Sequence, residues 1–130
     1  MTVRPRTVKV GDSIVEAAKL MKGEDSGIAP IVDGNRLVGV ITDRDIAIRI
    51  VAEGRDPCAT KVEEIASTNL VTIDPQQELD EALRLMAKHQ IRRLPVVEED
   101  GKLVGIVAQA DVARHAASNR TGEVVEEISE

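Results

Sequence analysis

Thr42 and Asp45 set a hydroxyl and a carboxylate three residues apart where a β-branched run ends, in Gly39-Val40-Ile41-Thr42-Asp43-Arg44-Asp45. A carboxylate in the first turn of a helix can accept from both vicinal hydroxyls of a sugar, each charge-assisted bond contributing roughly 1.5–3 kcal/mol. The free N–H groups at such a helix start favour an anion beside them, and Gly39 lets backbone approach a ligand closely. The same pair also satisfies a capping box, in which each side chain binds the other residue's backbone N–H and no ligand is needed. These residues alone leave both readings open.

A near copy, Gly105-Ile106-Val107-Ala108-Gln109-Ala110-Asp111, stands 66 positions later. Ala108 removes the hydroxyl and weakens the cap by roughly 1 kcal/mol, while Asp111 survives. Arg92 and Arg93 are two adjacent cations just before the β-rich stretch of this second copy. They suit phosphate oxygens; alternatively they are solvated strand-edge charges, or they pair with Glu98 and Glu99. The matching first-copy stretch, Ser26-Gly27-Ile28, carries no charge.

The elements that position these groups form one unit written twice. At an offset of 65, Thr7 falls on Thr72, Glu16-Ala17 on Glu81-Ala82, Leu20-Met21 on Leu85-Met86 and Pro30 on Pro95. One inserted residue raises the offset to 66, and Leu37-Val38-Gly39 meets Leu103-Val104-Gly105. Each copy reads as strand, helix, strand, strand, helix.

In the first copy a lead strand is expected at 6–9, then a helix capped by Asp12 or Ser13 with Ile14, Ala17, Ala18 and Met21 on its apolar face. Strands at 28–32 and 36–41 flank the turn Asp33-Gly34-Asn35, and a second helix spans 43–53. In the second copy the lead strand is expected at 71–73, and Asp74-Pro75 marks the helix start. Strands at 94–97 and 102–107 and a closing helix at 111–117 follow.

The domain reading is therefore a first repeat at 1–53, a linker with a short helix at 54–69, a second repeat at 70–117 and an acidic, disordered tail at 118–130. A half of roughly 50 residues buries too little surface to stand alone. The two should pack sheet to sheet and leave clefts between them.

Composition narrows the function. No Phe, Tyr or Trp is present, so the core is aliphatic and no aromatic platform can stack a base. A net charge of −6 disfavours a phosphate polymer, so no nucleic-acid partner is expected. Cys58 is alone, which excludes an intrachain disulfide and a cysteine-based metal cluster. No apolar run approaches the ~20 residues of a membrane span, and no signal-like start is present, so a cytoplasmic protein is expected. His89 and His115 have no Ser or Cys nucleophile pattern near them, so an enzyme is not expected.

Ile46, Ala47, Ile48, Ile50, Val51 and Ala52 wrap the second helix, interrupted by Arg49. A helix apolar all round is buried on more than one side, which predicts a homodimer through these helices and their counterparts near 112–116. A wider intramolecular core is the alternative.

With two such repeats, the G-x-x-T-x-x-D run at Gly39 to Asp45, the strand-borne Pro30 and Pro95, and His89-Gln90-Ile91-Arg92-Arg93-Leu94-Pro95-Val96-Val97, the chain resembles a tandem cystathionine-β-synthase (CBS) domain pair, or Bateman module. Its length and its Gly54-Arg55-Asp56-Pro57 linker are similar to small stand-alone bacterial CBS proteins of the hypoxic-response kind, which implies a stress-response role. The resemblance implies an α/β (α+β) fold of two β-α-β-β-α repeats packed sheet to sheet about a pseudo-two-fold axis, and disk-shaped dimers.

It also implies a non-catalytic regulatory module that binds AMP, ADP, ATP, NAD or S-adenosylmethionine between the repeats and signals occupancy to an effector protein, with no cofactor and no metal required. Thr42 and Asp45 would hold the ribose. Arg92 and Arg93 would serve the phosphates, and the adenine would lie against Val8, Ile28, Ala29 and Pro30. Ala108, Asp111 and Pro95 would form a second, degraded site. A ligand-free homodimeric scaffold with vestigial clefts is the competing function.

Overall fold

A computed structural model describes residues 2–112. The acidic tail expected at 118–130, and residues 113–116 of the expected dimer helix, lie outside the described residues.

The described residues fold as a mixed α/β protein with two three-stranded sheets, one dominated by each repeat. In the first repeat β2 (Val8–Lys9) leads to α1 (Ile14–Glu24), β3 (Ile28–Asp33) and β4 (Arg36–Thr42). Helix α1 forms because Ile14, Ala17, Leu20 and Met21 recur on one face, which is buried. Ser13 occupies its N-cap position without a side-chain cap bond. Asp12 instead turns back to accept from the Lys9 N–H at 2.8 Å.

Strand β3 lies parallel to β2 and antiparallel to β4. The hairpin turns at Gly34, whose φ of 69° is free of cost without a Cβ. Ala29 and Ile31 alternate into the core with Ile14, Ala17 and Ile41.

The second repeat carries α3 (Leu79–His89), β5 (Arg93–Val97), β6 (Leu103–Ala108) and the start of a helix at Gln109. Its core gathers Ile73, Ala82, Met86, Leu94, Val96, Val107 and Val112. Both first helices stop on a non-glycine residue in the left-handed region, Asp25 at φ 50° and Gln90 at φ 56°. In each, the following residue closes the turn: Ser26 N–H reaches Met21 O, and Ile91 N–H reaches Met86 O, both at 3.0 Å.

Several expectations need correction. The second repeat's first helix begins four residues late. The Asp74 carboxylate accepts the Gln76 N–H at 2.7 Å and builds a turn through Pro75, so the helix waits until Leu79. The lead strand expected at 71–73 shrinks to one parallel bridge, Ile73 with Val96. At the opposite edge of the sheet, β1 (Thr2–Val3) crosses from the N-terminus to pair antiparallel with β6.

The second helix, expected as one α-helix over 43–53, is α-helical only in α2 (Asp43–Ile46) and then widens to a π-helical segment, Ala47–Val51. The wider hydrogen bonding shows in Ala52 N–H to Ala47 O at 2.9 Å. The linker helix is a single 3-10 turn, Val62–Glu64. Val62 and Ile65 nonetheless pack into the first repeat's core, and Ser67 exchanges two hydrogen bonds with Val40 of β4.

Besides β1, backbone hydrogen bonds between the two hairpins join the repeats. Leu37 N–H donates to Gly101 O, and Leu103 N–H to Asn35 O, each at 3.0 Å, so the hairpin of one repeat abuts that of the other.

Candidate functional site

The Thr42–Asp45 pair forms a complete capping box. Thr42 Oγ1 accepts from the Asp45 N–H at 3.1 Å, and Asp45 Oδ2 accepts from the Thr42 N–H at 3.0 Å. Strand β4 delivers Thr42 in extended backbone, φ −113° and ψ 163°, the geometry an N-cap requires. Both side chains are half-buried, and Thr42 lies directly across the hairpin from Ile28. Beside them the Asp43 N–H donates to Gly27 O at 2.9 Å. A Cβ on Gly27 would stand 2.9 Å from the Asp43 carboxylate, which would have to turn away to admit it.

The second repeat reproduces the corner with different groups. Ala108 lies opposite Arg93, as Thr42 lies opposite Ile28, and the Gln109 N–H donates to Arg92 O at 2.7 Å. Ala108 has no hydroxyl with which to cap the helix that begins there. Asp111 is half-buried, and Pro95 is buried within β5.

Between the repeats lies a cleft of about 60 Å³ lined by Ile28 and Pro30 of β3, Arg93 of β5 and Ile106 of β6, with Pro5, Arg6, Leu20, Glu24 and Ser26 completing it. Three residues expected at the site, Ile28, Pro30 and Arg93, thus meet across the two sheets. Neither Thr42 nor Asp45 lines this cleft. Arg92 is exposed and Arg93 half-buried. Among the described residues neither forms an ion pair, so the pairing with Glu98 and Glu99 is not what holds them.

Three expected contacts have other tasks. Val8 and Ala29, 4% and 0% exposed, belong to the first repeat's core and present no surface to a ligand. The close approach that Gly39 allows is taken by the linker: an added Cβ would stand 3.2 Å from Ser67 O and 3.4 Å from Ala66 Cβ. Arg6 and Glu24 were not singled out in the sequence, and Ser26 entered only as part of the uncharged counterpart of Arg92 and Arg93. A cation just before the lead strand, and an acid closing the first helix, were the available signals.

In the second helix only Ile50 is buried, whereas Ile48 and Val51 are 46% and 72% exposed, so among the described residues no wider intramolecular core covers them. An apolar groove of about 560 Å³ runs between α1 and this helix, lined by Ile14, Val15, Ala18, Ile46, Ile50 and Val51 with Lys19, Lys22 and Arg55. No helix among the described residues is long and apolar enough to cross a membrane.

Known proteins share this architecture. The CBS domain family model matches residues 1–52 and 62–118. CBS domain-containing protein YhcV of Bacillus subtilis is 47% identical over 130 residues, covering 99% of this chain and 91% of that protein. Hypoxic response protein 1 of Mycobacterium tuberculosis is 39% identical over 118 residues, covering 90% and 82%.

Among solved structures, Hypoxic Response Protein I with two coordinated zinc ions superposes with a TM-score of 0.81 at 40% identity, covering 88% of this chain and 93% of that one. CBSX2 in complex with AMP gives 0.79 at 28% identity, covering 92% and 94%. The CBS domain pair of MJ0100 in complex with 5-methylthioadenosine and S-adenosyl-L-methionine gives 0.75 at 30%, covering 91% and 94%. With both repeats matched by one family model, the chain belongs to the CBS domain family, as a pair of repeats.

Proposed function

We propose that this CBS pair is a non-catalytic regulatory module that takes an adenosine-containing ligand between its repeats and signals occupancy to an effector protein. The observation that carries the reading is the meeting of Arg93, from the second repeat, with Ile28 and Pro30 of the first in one cleft. The hydroxyl–carboxylate corner of Thr42 and Asp45 lies directly across the hairpin from Ile28. The AMP held by CBSX2 and the S-adenosyl-L-methionine held by MJ0100 support the ligand class.

The cleft is far below the roughly 300–1,000 Å³ of a ligand pocket. Admission of a nucleotide therefore requires the Arg6 and Arg93 side chains to swing outward, and Asp45 to exchange its cap bond for ribose hydroxyls. Ala108 leaves the second corner the poorer site.

The effector is reached through a homodimer. Ile48 and Val51 beside the α1 groove form an apolar face that a second copy of the chain would cover. The closed capping box and the small cleft favour a second reading, a ligand-free scaffold.

Titration calorimetry with AMP, ADP, ATP, NAD and S-adenosylmethionine separates the two. Micromolar binding by any of them supports the sensor, and no binding below the millimolar range leaves the scaffold.

A further inference from the structure

Two guanidinium groups from different repeats share the inter-repeat cleft with a single carboxylate. Arg6, in the connection before β2, places Nη1 3.7 Å from Glu24 Oε2, with the two side chains 64% and 37% exposed. Such a long, exposed pair contributes little. The same Nη1 lies 3.3 Å from where a Cβ on Gly23 would stand. Gly23 sits inside the last turn of α1, where alanine is the better helix former, and its bare Cα leaves the guanidinium room.

Across the cleft, Arg93 forms no ion pair among the described residues. The cleft is thus locally cationic in a chain of net charge −6. Ser26 lines it as well, its hydroxyl turned onto the Ile28 backbone.

We propose that Arg6 is a second phosphate-binding cation of this cleft, held in reserve by Glu24, and that the module therefore selects phosphorylated over unphosphorylated adenosine ligands. The inference rests on the adenosine-sensor reading above and goes beyond it in naming the discriminating group. A phosphate reaching the cleft displaces the Glu24 carboxylate from Arg6 and bridges Arg6 to Arg93, tying one repeat to the other. Adenosine, which has no anionic group, cannot make that exchange.

The test is calorimetric titration of the full chain with AMP, adenosine and inorganic pyrophosphate, for wild type, Arg6→Ala, Glu24→Gln and Asp45→Asn. Arg6→Ala should weaken AMP and pyrophosphate about tenfold, the loss of one charge-assisted contact, and leave adenosine within about twofold. Glu24→Gln should strengthen both anions by a few fold. Gly23→Ala supplies an independent variant: it should lower AMP affinity while raising the melting temperature, which a folding defect could not do.

AMP binding that depends on Asp45 but ignores Arg6 and Glu24 overturns this inference and leaves the sensor reading standing. Equal losses for AMP and adenosine in Arg6→Ala also overturn it. Absence of AMP and adenosine binding to wild type overturns this inference, even if pyrophosphate binds, and the sensor reading then stands or falls on ADP, ATP, NAD and S-adenosylmethionine in the same titration.

Discussion

On the proposed function Asp45 has two tasks that one atom of difference can separate. In the structure its Oδ2 accepts the Thr42 N–H at 3.0 Å and closes the capping box. On the proposed function its negative charge also grips ribose hydroxyls. Asp45→Asn keeps an oxygen for the Thr42 N–H but removes the charge, while Asp45→Ala removes both.

The expected magnitudes differ in kind. Without ligand, the asparagine loses only the favourable interaction of a carboxylate with a helix N-terminus, about 0.5 kcal/mol for an accessible group. The alanine also loses a cap hydrogen bond, about 1 kcal/mol more. At roughly 4 °C per kcal/mol for a chain of this size, the melting temperature should fall by about 2 °C and about 6 °C respectively. AMP affinity should fall at least tenfold in both, because charge-assisted bonds to the two hydroxyls are lost.

Thermal unfolding followed by circular dichroism, with calorimetry in parallel, reads both quantities. Wild-type AMP affinity in Asp45→Asn refutes the ribose role. An unchanged melting temperature in Asp45→Ala refutes the cap as a source of stability.

Three further outcomes are expected. Gly39→Ala should destabilise the fold by about 1–2 kcal/mol, since its Cβ meets the Ser67 carbonyl at 3.2 Å; denaturant unfolding measures this, and AMP affinity should not change. Val51→Asp, at a side chain 72% exposed, should leave the monomer folded and convert a homodimer to monomers, as light scattering coupled to gel filtration would register. The Glu64 carboxyl is held below its usual 4.5, first by the Lys61 backbone N–H and then by Arg55. A depressed carboxyl stabilises the folded state above its unfolded value and ceases to do so as pH falls through the folded one, so Glu64→Gln should flatten the decline of melting temperature below pH 4.5 relative to wild type.

The parts legible in the sequence were those with local causes. Alternating β-branched residues around Gly34 set the hairpin, and Ile14, Ala17 and Met21 at helical spacing set α1. The capping box was legible as an alternative, since Thr-x-x-Asp encodes it without reference to anything distant. The misses have non-local causes. Thr2 and Val3 are too short a run to announce a strand, and their partner is the other repeat's β6. Asp74-Pro75 carries the same residues whether it caps a helix or builds a turn ahead of it, and the Gln76 N–H decided for the turn.

At the site, Arg93 joined Ile28 and Pro30 because the repeat offset places Arg93 and Ile28 at equivalent positions in the two sheets. Val8 and Ala29 did not join, because the alternation of a strand sends neighbours to opposite faces and these face α1. Gly39 read as a ligand approach only because the linker's return onto β4 was not foreseen.

The two ends of the second helix connect these points. Its first turn is closed by Thr42 and Asp45, and further along the same helix Ile48 and Val51 face outward, Val51 beside the α1 groove. On the proposed function, a ribose that draws the Asp45 carboxylate away from the Thr42 N–H loosens the start of the helix whose far end meets the second copy. That exchange trades one hydrogen bond for others, so cap and ligand oppose each other and the net effect is their difference. A ligand can move the dimer face only by the difference in its affinity for the two arrangements of this helix. The second repeat, with Ala108 in place of the threonine, has no such hydroxyl to release. The asymmetry between the copies therefore makes the first corner the one at which occupancy could be converted into movement.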